Sequence, residues 1–231
     1  MLKTVTAIIT VYNGEKYITE AIESILNQTI TIDEIIVVDD GSTDETVKKV
    51  KVFSKENIII ISQKNQGQAK ALNVGIIAAK SFYLTFLDAD DVWLPNKTAI
   101  QLIEFDKYPE LELCFGHIQE FISNELHITE KQKLICKEFS QPAKMKQTMM
   151  IKKELFNKWG LFPEVPTMDF IAWYAIVKKN IRCEMLIDTI VAKRRLHVNN
   201  ISRRIDKSSE IIETFKLILK QKRKDNTRIN G

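Results

Sequence analysis

The stretch Phe82-Tyr-Leu-Thr-Phe-Leu-Asp-Ala-Asp-Asp91 joins a mostly apolar run, typical of a buried strand, to three carboxylates. Carboxylates this close repel one another unless a cation or a hydrogen-bond donor lies between them. In open α/β sheets, ligands bind where such strands end. The stretch therefore indicates either a divalent metal that holds a phosphorylated substrate, or an acidic turn before a helix that begins near Pro95.

The composition predicts a folded protein, because 231 residues with 45% hydrophobic content can build a sizeable core. The sequence has no apolar run long enough to span a membrane, and its first residues lack the pattern of a secretory leader. The cysteines Cys114, Cys136 and Cys183 lack metal-site spacing and suit a reducing compartment. We therefore expect a soluble, cytoplasmic protein.

Positive charge is concentrated near the C-terminus. The net charge is +4, and residues 193–231 alone carry 12 Lys and Arg against 4 Asp and Glu. Such a segment suits an anionic membrane surface, an acidic partner or a nucleotide diphosphate, and the alternative is a solvated tail. Peripheral membrane association is thus one expectation. Nucleic acid is not an expected partner, and the sequence does not indicate an oligomeric state.

Short apolar runs alternate with segments of helical periodicity from residue 4 to residue 105. The apolar runs are residues 7–11, 35–38, 58–61 and 82–87. They are continuous rather than alternating, as in strands that are covered on both faces. A parallel sheet between helices is therefore predicted, and right-handed crossovers would bring the carboxyl ends of its strands to one edge.

The loops expected at that edge are polar. They are residues 12–15, 39–44, 63–70 and 88–91. Each alone is compatible with helix-start chemistry, because Asp, Ser, Thr and Asn cap helices. Such loops after every strand, two with paired acids, exceed what capping requires and favour a ligand site.

The pattern loosens after residue 105, although no repeat or low-complexity linker interrupts the chain. Strands are predicted at residues 111–122, 145–152 and 190–196. Helices are predicted at residues 154–159, 169–179 and 208–222, the last with Ile211, Phe215, Ile218 and Leu219 inward. The charged segment 123–142 shows no regular pattern.

Five motifs in the first 105 residues jointly resemble glycosyltransferase family 2. They are Thr10-Val-Tyr-Asn-Gly-Glu15, Ser24-Ile-Leu-Asn-Gln-Thr29, Ile36-Val-Val-Asp-Asp-Gly-Ser-Thr-Asp44, Asn65-Gln-Gly-Gln-Ala-Lys-Ala-Leu-Asn73 and Leu87-Asp-Ala-Asp-Asp91. Asp169-Phe-Ile-Ala-Trp-Tyr174 and Arg195-Leu-His-Val-Asn-Asn-Ile-Ser202 are more weakly similar to the family's acceptor-side helix and His-containing loop. The resemblance implies the α/β GT-A (Rossmann-like) fold: a mostly parallel central sheet flanked by helices, a small mixed acceptor-side sheet and a C-terminal helix.

The resemblance also implies one GT-A domain over residues 1–231. Residues 1–105 would bind the nucleotide sugar, residues 106–200 would face the acceptor, and residues 201–231 would form a basic helix and tail. The implied reaction is inverting transfer from a nucleotide diphosphate sugar, with a UDP-sugar expected, to a hydroxyl of a glycan, lipid or peptide acceptor. The implied cofactor is Mn²⁺ or Mg²⁺.

The resemblance assigns a set of residues to the nucleotide sugar: Thr10, Tyr12, Glu15, Asp40, Gly67, Lys70, Asp88 and Ala89. Asp40 can accept a hydrogen bond from a pyrimidine imide and Tyr12 can pack on the ring, although sheet packing also suits a tyrosine. Lys70 would meet the diphosphate or nucleobase, or lie on a helix surface. Asp39 and Asn73 are expected to bond backbone.

Asp90 and His197 are the metal ligands that the resemblance implies. Carboxylate oxygen suits both Mg²⁺ and Mn²⁺, whereas imidazole suits Mn²⁺ better. Asp88 would contact the ribose or a metal-bound water. Asp91 is predicted to cap the helix that follows.

Inverting transfer needs a base for the acceptor proton and stabilisation of the leaving diphosphate, which the metal would supply. Asp169, near the start of its helix, is the candidate base. The chain departs from the family here, because Met168 precedes this residue and Ala172 stands where some relatives have an acid. A supporting acid or a helix cap is therefore an alternative interpretation of Asp169.

Two other functions stay open. A GT-A scaffold that binds nucleotide without turnover is motivated by the atypical helix around Asp169. A nucleotidyltransferase is less favoured, because residues 10–16 do not resemble the Gly-rich, Arg-containing loop of those enzymes. A Rossmann dehydrogenase is disfavoured because no Gly-x-Gly-x-x-Gly follows the first strand.

Overall fold

The computed structural model describes residues 3–53, 57–165, 168–198, 212 and 214–219. The strands in these ranges are β1 (Val5–Val11), β2 (Glu34–Asp39), β3 (Ile58–Ser62), β4 (Tyr83–Asp88), β5 (Val92–Trp93), β6 (Leu113–Ile122), β7 (Gln141–Ala143), β8 (Met150–Lys152) and β9 (Glu184–Leu196). The α-helices are α1 (Ile18–Leu26), α2 (Thr46–Lys51), α3 (Gln68–Ala78), α4 (Lys97–Lys107), α5 (Ile128–Lys131), α6 (Glu154–Trp159) and α7 (Asp169–Val177). Two 3₁₀ turns cover Lys146–Thr148 and Lys178–Asn180, and residues 212 and 214–219 are helical.

One mixed sheet runs through the described residues, with strands in the order β3-β2-β1-β4-β8-β6-β9-β5 and with β7 beside β6. The strands β1 to β4 are parallel, as predicted. The strands of the second half join them through β8, which pairs with β4 in antiparallel orientation. The architecture is therefore the predicted α/β class, with helices flanking the sheet.

β1 is buried along its whole length because helices cover both faces of the parallel strands. Ile8 belongs to a cluster with Ile76 of α3, and Ile9 to the opposite cluster with Ile22 of α1. α3 approaches closely at Gly75, where a Cβ atom would come within 2.6 Å of the Ile8 side chain. The continuous apolar runs thus reflect burial on both faces, as predicted.

α7 covers the second half of the sheet over an aromatic cluster. Trp173 stacks on Phe156 with ring centroids 5.2 Å apart, and Phe162 packs against both rings. Asn73 of α3 exchanges two hydrogen bonds with the Phe162 backbone, which confirms that Asn73 bonds backbone. This exchange fixes the segment before α7 against the first half of the chain.

The strand predicted at residues 145–152 is shorter in the structure, because Lys146–Thr148 forms a 3₁₀ turn. Buried side chains hold this turn: the Trp93 indole donates to the Gln147 carbonyl at 3.1 Å, and the Gln101 amide to the Thr148 carbonyl at 2.8 Å. These side chains supply the hydrogen bonds that a neighbouring strand would give to an extended segment. β9, by contrast, is longer than predicted because it pairs with β6 along most of its length.

The C-terminal helix buries a different face from the one predicted. Phe215 and Leu219 are 59% and 54% exposed, so their predicted inward orientation is wrong. The helical period instead puts buried Thr214 on the same side as half-buried Leu217 and Ile218. Ile211 and most of residues 201–231 lie outside the described residues, and with them the segment predicted to approach a membrane surface. Within the described ranges, no helix combines the length and apolarity needed to cross a bilayer.

Candidate active site

A cavity of about 970 Å³ opens at the carboxyl edge of the parallel strands. The crossovers place the strand ends side by side, so that Thr10 of β1 pairs in register with Asp88 of β4. The predicted site residues in the cavity wall are Thr10, Tyr12, Asp40, Gly67, Asp88, Ala89, Asp90, Asp169 and His197. The fold therefore gathers in one place residues that are far apart in the sequence.

Short polar side chains join the loops after β1 and β2. Asn13 has a left-handed backbone, with φ of 51°, which asparagine tolerates well. Its side chain accepts a hydrogen bond from the Thr43 N–H at 2.8 Å, and its own N–H donates to the Ser42 hydroxyl at 2.9 Å. Tyr12 beside it is 52% exposed, so its ring is not packed in the sheet and is open to stacking on a flat ligand.

Asp40 is buried and joins the loop after β2 to the loop after β3. Its carboxylate accepts from the Gln63 side chain at 2.7 Å and from the N–H groups of Gln66 and Gly67 at 2.9 and 2.8 Å. A carboxylate offers about four lone-pair positions, so one remains for a ligand. Asp39 accepts from the Ser42 N–H at 3.0 Å, which confirms its predicted role in the turn.

Glu15 and Lys70 do not line the cavity, which corrects their predicted placement. The Glu15 carboxylate accepts from the Glu45 N–H at 2.9 Å, just before α2, and Lys70 pairs with Glu164 at 3.5 Å. Residues two apart do not share a helix face. α3 consequently turns Gln68, rather than Lys70, toward the cavity, where its amide donates to Asp88 at 3.1 Å.

One glutamine side chain lies between two of the carboxylates at the end of β4. The Gln147 amide nitrogen donates to Asp88 at 2.6 Å and to Asp91 at 2.9 Å. The Trp93 indole donates to the backbone carbonyl of Gln147, which holds this residue in place beside the acids. A neutral donor from the second half of the chain thus relieves part of the repulsion that a cation would otherwise have to relieve.

Asp91 does not cap a helix, so that prediction is wrong. β5 follows Asp91 directly, and α4 begins only at Lys97. The Asp91 carboxylate instead accepts the Arg195 N–H at 2.9 Å, close to the end of β9. This bond links β9 to the loop that contains Asp90 and Asp91. His197, just after β9, therefore lies beside this loop.

Burial raises the pKa of Asp88 and, more strongly, that of Asp91, and the neighbouring Asp90 charge raises both further. Lys146 opposes the shift at Asp88, because its Nζ lies 3.9 Å from the Asp88 carboxylate. Burial acts to lower the pKa of Lys146, but the carboxylates of Asp88 and Asp169 outweigh it and raise that pKa. A cation near Asp88 would favour the ionised form of this carboxyl.

Asp90 and His197 meet at the cavity wall, with His197 Nε2 lying 3.0 Å from Asp90 Oδ2. Arg195 supports them: its Nε donates to the Asp90 carbonyl at 2.9 Å, and its guanidinium lies 4.7 and 4.6 Å from the Tyr17 and Phe121 rings. The pair offers a carboxylate oxygen and an imidazole nitrogen. This donor set fits Mn²⁺ or Mg²⁺ if phosphate and water complete the coordination. In the part of the chain that the structure describes, no three His, Cys, Asp or Glu side chains are arranged to hold a metal unaided.

Asp169 lies in the first turn of α7 on the inner cavity wall and is 2% exposed. Lys146 Nζ lies 3.2 and 3.4 Å from its two carboxylate oxygens. The candidate base is therefore one half of a buried ion pair.

Among the polar residues in the cavity wall that were not predicted from the sequence are Gln68, Lys146 and Gln147, which donate to the acids there. Gln68 lies within the motif at residues 65–73, so the geometry of a helix that starts there could have identified it. Lys146 and Gln147 follow the irregular segment 123–142. That segment has no motif or hydrophobic period from which their position could be predicted. Their methionine neighbours were the local signal that this stretch is buried.

The glycosyl transferase family 2 profile matches residues 6–162, more than half of the chain. An uncharacterized glycosyltransferase of Rickettsia prowazekii is 35% identical over 183 residues, which are 74% of this chain and 57% of that relative. WfgD and WfaP of Escherichia coli, each named as a UDP-Glc:alpha-D-GlcNAc-diphosphoundecaprenol beta-1,3-glucosyltransferase, are 29% and 30% identical over 86% and 87% of this chain and 79% and 80% of their own. The chain thus spans little more than half the length of the Rickettsia relative.

Solved structures share the fold at low sequence identity. S. aureus TarS in complex with UDP-GlcNAc has a TM-score of 0.76 at 21% identity, covering 94% of this chain and 66% of that chain. The mannosyltransferase PcManGT from Pyrobaculum calidifontis, in complex with GDP-Man and Mn²⁺, has a TM-score of 0.70 at 20% identity, covering 94% and 64%. These structures confirm the predicted GT-A fold. The profile match over more than half of the chain shows that the chain belongs to glycosyl transferase family 2.

Proposed function

We propose that the chain transfers a sugar, with inversion, from a UDP-sugar to an acceptor hydroxyl. The observation that carries the proposal is the single cavity that joins Tyr12 and Asp40 at one end to Asp88 and Asp90 at the other. Family membership supports the reaction type. The UDP and UDP-GlcNAc bound to TarS, and the names of the two Escherichia coli relatives, support a UDP-sugar as the donor.

In the proposed site, Tyr12 stacks on the nucleobase and the remaining lone pair of Asp40 accepts from its imide. Asp90 and His197 hold Mn²⁺ or Mg²⁺, which when bound supplies Lewis-acid stabilisation of the leaving diphosphate. Asp88 contacts the ribose or a metal-bound water. Asp169 takes the acceptor proton as the acceptor oxygen attacks the face of the anomeric carbon opposite the diphosphate.

We propose a lipid-linked sugar as the acceptor. Apolar side chains line part of the cavity: Leu126, Met145, Met168, Phe170, Ile171 and Val198. Ile171 and Val198 are each 54% exposed, and exposed aliphatic groups beside a cavity suit a ligand with an apolar portion. The acceptor named for the two Escherichia coli relatives, a GlcNAc-diphosphoundecaprenol, is of this kind. Peripheral association with a membrane surface would follow from such an acceptor.

The test is transfer from labelled UDP-glucose to a synthetic GlcNAc-diphosphate lipid in the presence of Mn²⁺. We expect a β-linked product from the α-linked donor, identified by the anomeric coupling constant in its NMR spectrum. An α-linked product would contradict inversion. Transfer from UDP-GlcNAc or UDP-galactose instead would identify a different sugar without changing the proposed reaction type.

A nucleotide-binding scaffold without turnover is the second candidate. It is favoured by the burial of Asp169 in an ion pair and by the fully buried Ala172, where some relatives have an acid. Thermal stabilisation by UDP and Mn²⁺, without transfer or donor hydrolysis across glycan, lipid and peptide acceptors, would select the scaffold.

A further inference from the structure

Lys146 lies on the cavity wall between two acids that belong to different motifs, Asp88 at the end of β4 and Asp169 in α7. We propose that Lys146 is a positioning residue, whose ammonium holds the Asp169 carboxylate in place for proton transfer from the acceptor. This inference rests on the proposed function. It adds to the reaction a residue that none of the sequence motifs contains.

The distances identify Asp169 as the main partner of Lys146. The ammonium lies within hydrogen-bond reach of both Asp169 oxygens, at 3.2 and 3.4 Å, but 3.9 Å from Asp88. Asp88 also has other donors, because the Gln68 and Gln147 amides reach its two oxygens. Loss of the lysine would therefore affect Asp169 far more than Asp88.

Hydrogen bonds from buried side chains fix the backbone of the turn that carries Lys146. The next three carbonyls along the chain, those of residues 147, 148 and 149, accept hydrogen bonds from the buried side chains of Trp93, Gln101 and Thr85 at 3.1, 2.8 and 2.7 Å. These donors come from β4, β5 and α4, which do not belong to the turn itself. A side chain on such a turn can hold its partner at a defined place.

Asp169 depends on this support because it has few other contacts that fix its carboxylate. The Phe170 N–H donates to Oδ1 at 2.6 Å, and Asp169 is the first residue of α7 rather than part of a strand. Burying a carboxylate without a counter-ion is costly, so an unpaired Asp169 side chain would turn toward water. The incoming diphosphate of the donor would repel it further. Lys146 counters both effects.

The test is a double-mutant cycle on Lys146→Met and Asp169→Asn, measured as kcat and donor KM for the proposed transfer. Because Lys146 acts through Asp169, we expect Lys146→Met to lower kcat by about 100-fold, with donor KM changed by less than about threefold. The double variant should lose no more than Asp169→Asn alone. Lys146→Arg should recover at least a tenth of the wild-type kcat, since a guanidinium can also pair with the carboxylate.

Lys178→Met is the matched control, because Lys178 pairs with Glu184 outside the cavity. Its kcat should equal that of the wild type. Losses that multiply in the double variant would overturn the inference, since Lys146 would then act independently of Asp169. So would an unchanged kcat for Lys146→Met in an enzyme whose wild type is active.

A second measurement does not depend on turnover and so separates this inference from the proposed function. In a crystal structure of Lys146→Met with UDP and Mn²⁺, the Asp169 carboxylate should leave its wild-type position. An unmoved carboxylate would overturn the positioning role even if the wild type transfers no sugar.

Discussion

The two halves of the sheet build the cavity in different ways. In the first half, residues 4–105, the site residues stand at the ends of parallel strands, and backbone N–H groups hold them, as at Asp40. In the second half, residues 106–198, they are held by contacts between side chains, as in the Lys146–Asp169 pair and in the Gln147 bridge. In the first half, strand topology thus positions the site side chains. In the second half, a buried network of polar side chains does so.

This difference matters because the two kinds of support fail differently. A strand end is fixed by many backbone hydrogen bonds, so its position should survive the loss of one site side chain. A buried side-chain network leaves unpaired groups behind when one member is lost, and each unpaired group carries a desolvation cost. Substitutions in the second half should therefore couple activity to stability more strongly.

The largest expected effect comes from Asp90→Ala at the end of the first half. Loss of the ligand oxygen should remove metal-dependent stabilisation of the leaving diphosphate and lower kcat/KM by roughly 1,000-fold or more. Steady-state kinetics over a range of Mn²⁺ concentrations measures this effect. Asp188→Ala is the control, because the Asp188 side chain is 95% exposed. Full metal-dependent activity in the Asp90 variant would refute the metal site.

Asp169→Asn tests the proposed base, which belongs to the second half. Removal of the base should lower kcat by about 100- to 10,000-fold, while the affinity for UDP with Mn²⁺ stays within about threefold of the wild type. Calorimetric titration with UDP provides the affinity, and single-turnover assays provide the rate. An equal loss of nucleotide affinity would remove Asp169 from the role of base.

The pair Gln147→Leu and Gln68→Leu compares the halves directly, because each glutamine donates to Asp88. Gln147 also holds Asp91, so its loss leaves two acids without their shared donor. We expect Gln147→Leu to lower the free energy of unfolding by about 2 kcal/mol and Gln68→Leu by less than about 1 kcal/mol. Urea denaturation measures both, and equal effects would contradict the proposed difference between the halves.

The smallest expected effect concerns Lys97, which joins the halves. Its buried ammonium donates to Thr85 of β4 at 2.6 Å and to the Met149 carbonyl at 3.4 Å. Burial lowers the pKa of Lys97 from its ordinary 10.5 to about 7. Between these two values the unfolded chain binds more protons than the folded one, so the free energy of unfolding should rise with pH from about pH 7 upward.

The slope expected from Lys97 is at most about 1.4 kcal/mol per pH unit, and Lys97→Met should remove it. Urea denaturation between pH 7 and pH 8.5 measures this slope. In this pH range, ionisation of Cys114 contributes little to the pH dependence of stability. Burial raises the pKa of that thiol from 9.0 to about 12, so above pH 9 its contribution to stability falls as pH rises. An unchanged slope in Lys97→Met would show that another group is responsible.

The parallel half was predictable because its signals are local. The apolar runs of β1 to β4 gave the strands, crossover handedness gave a common edge, and Tyr12, Asp40 and Asp88 then had to stand near one another. The errors in this half, at Glu15, Lys70 and Asp91, concern the direction of a side chain on a turn or a helix start. Sequence spacing constrains that direction weakly, because one residue more or less in a loop rotates everything after it.

The sequence by itself determined the α/β class, the parallel orientation of the first four strands and the edge at which a ligand site forms, because these depend on periodicity and chain handedness. Only the tertiary structure decided that Gln147 separates two acids, that Asp91 fastens β9, and that Lys146 pairs with Asp169. The partners in each of these contacts are at least 23 residues apart, and up to 104. Such contacts follow from burial of polar groups that need a partner, and which partner is available depends on how the whole sheet packs.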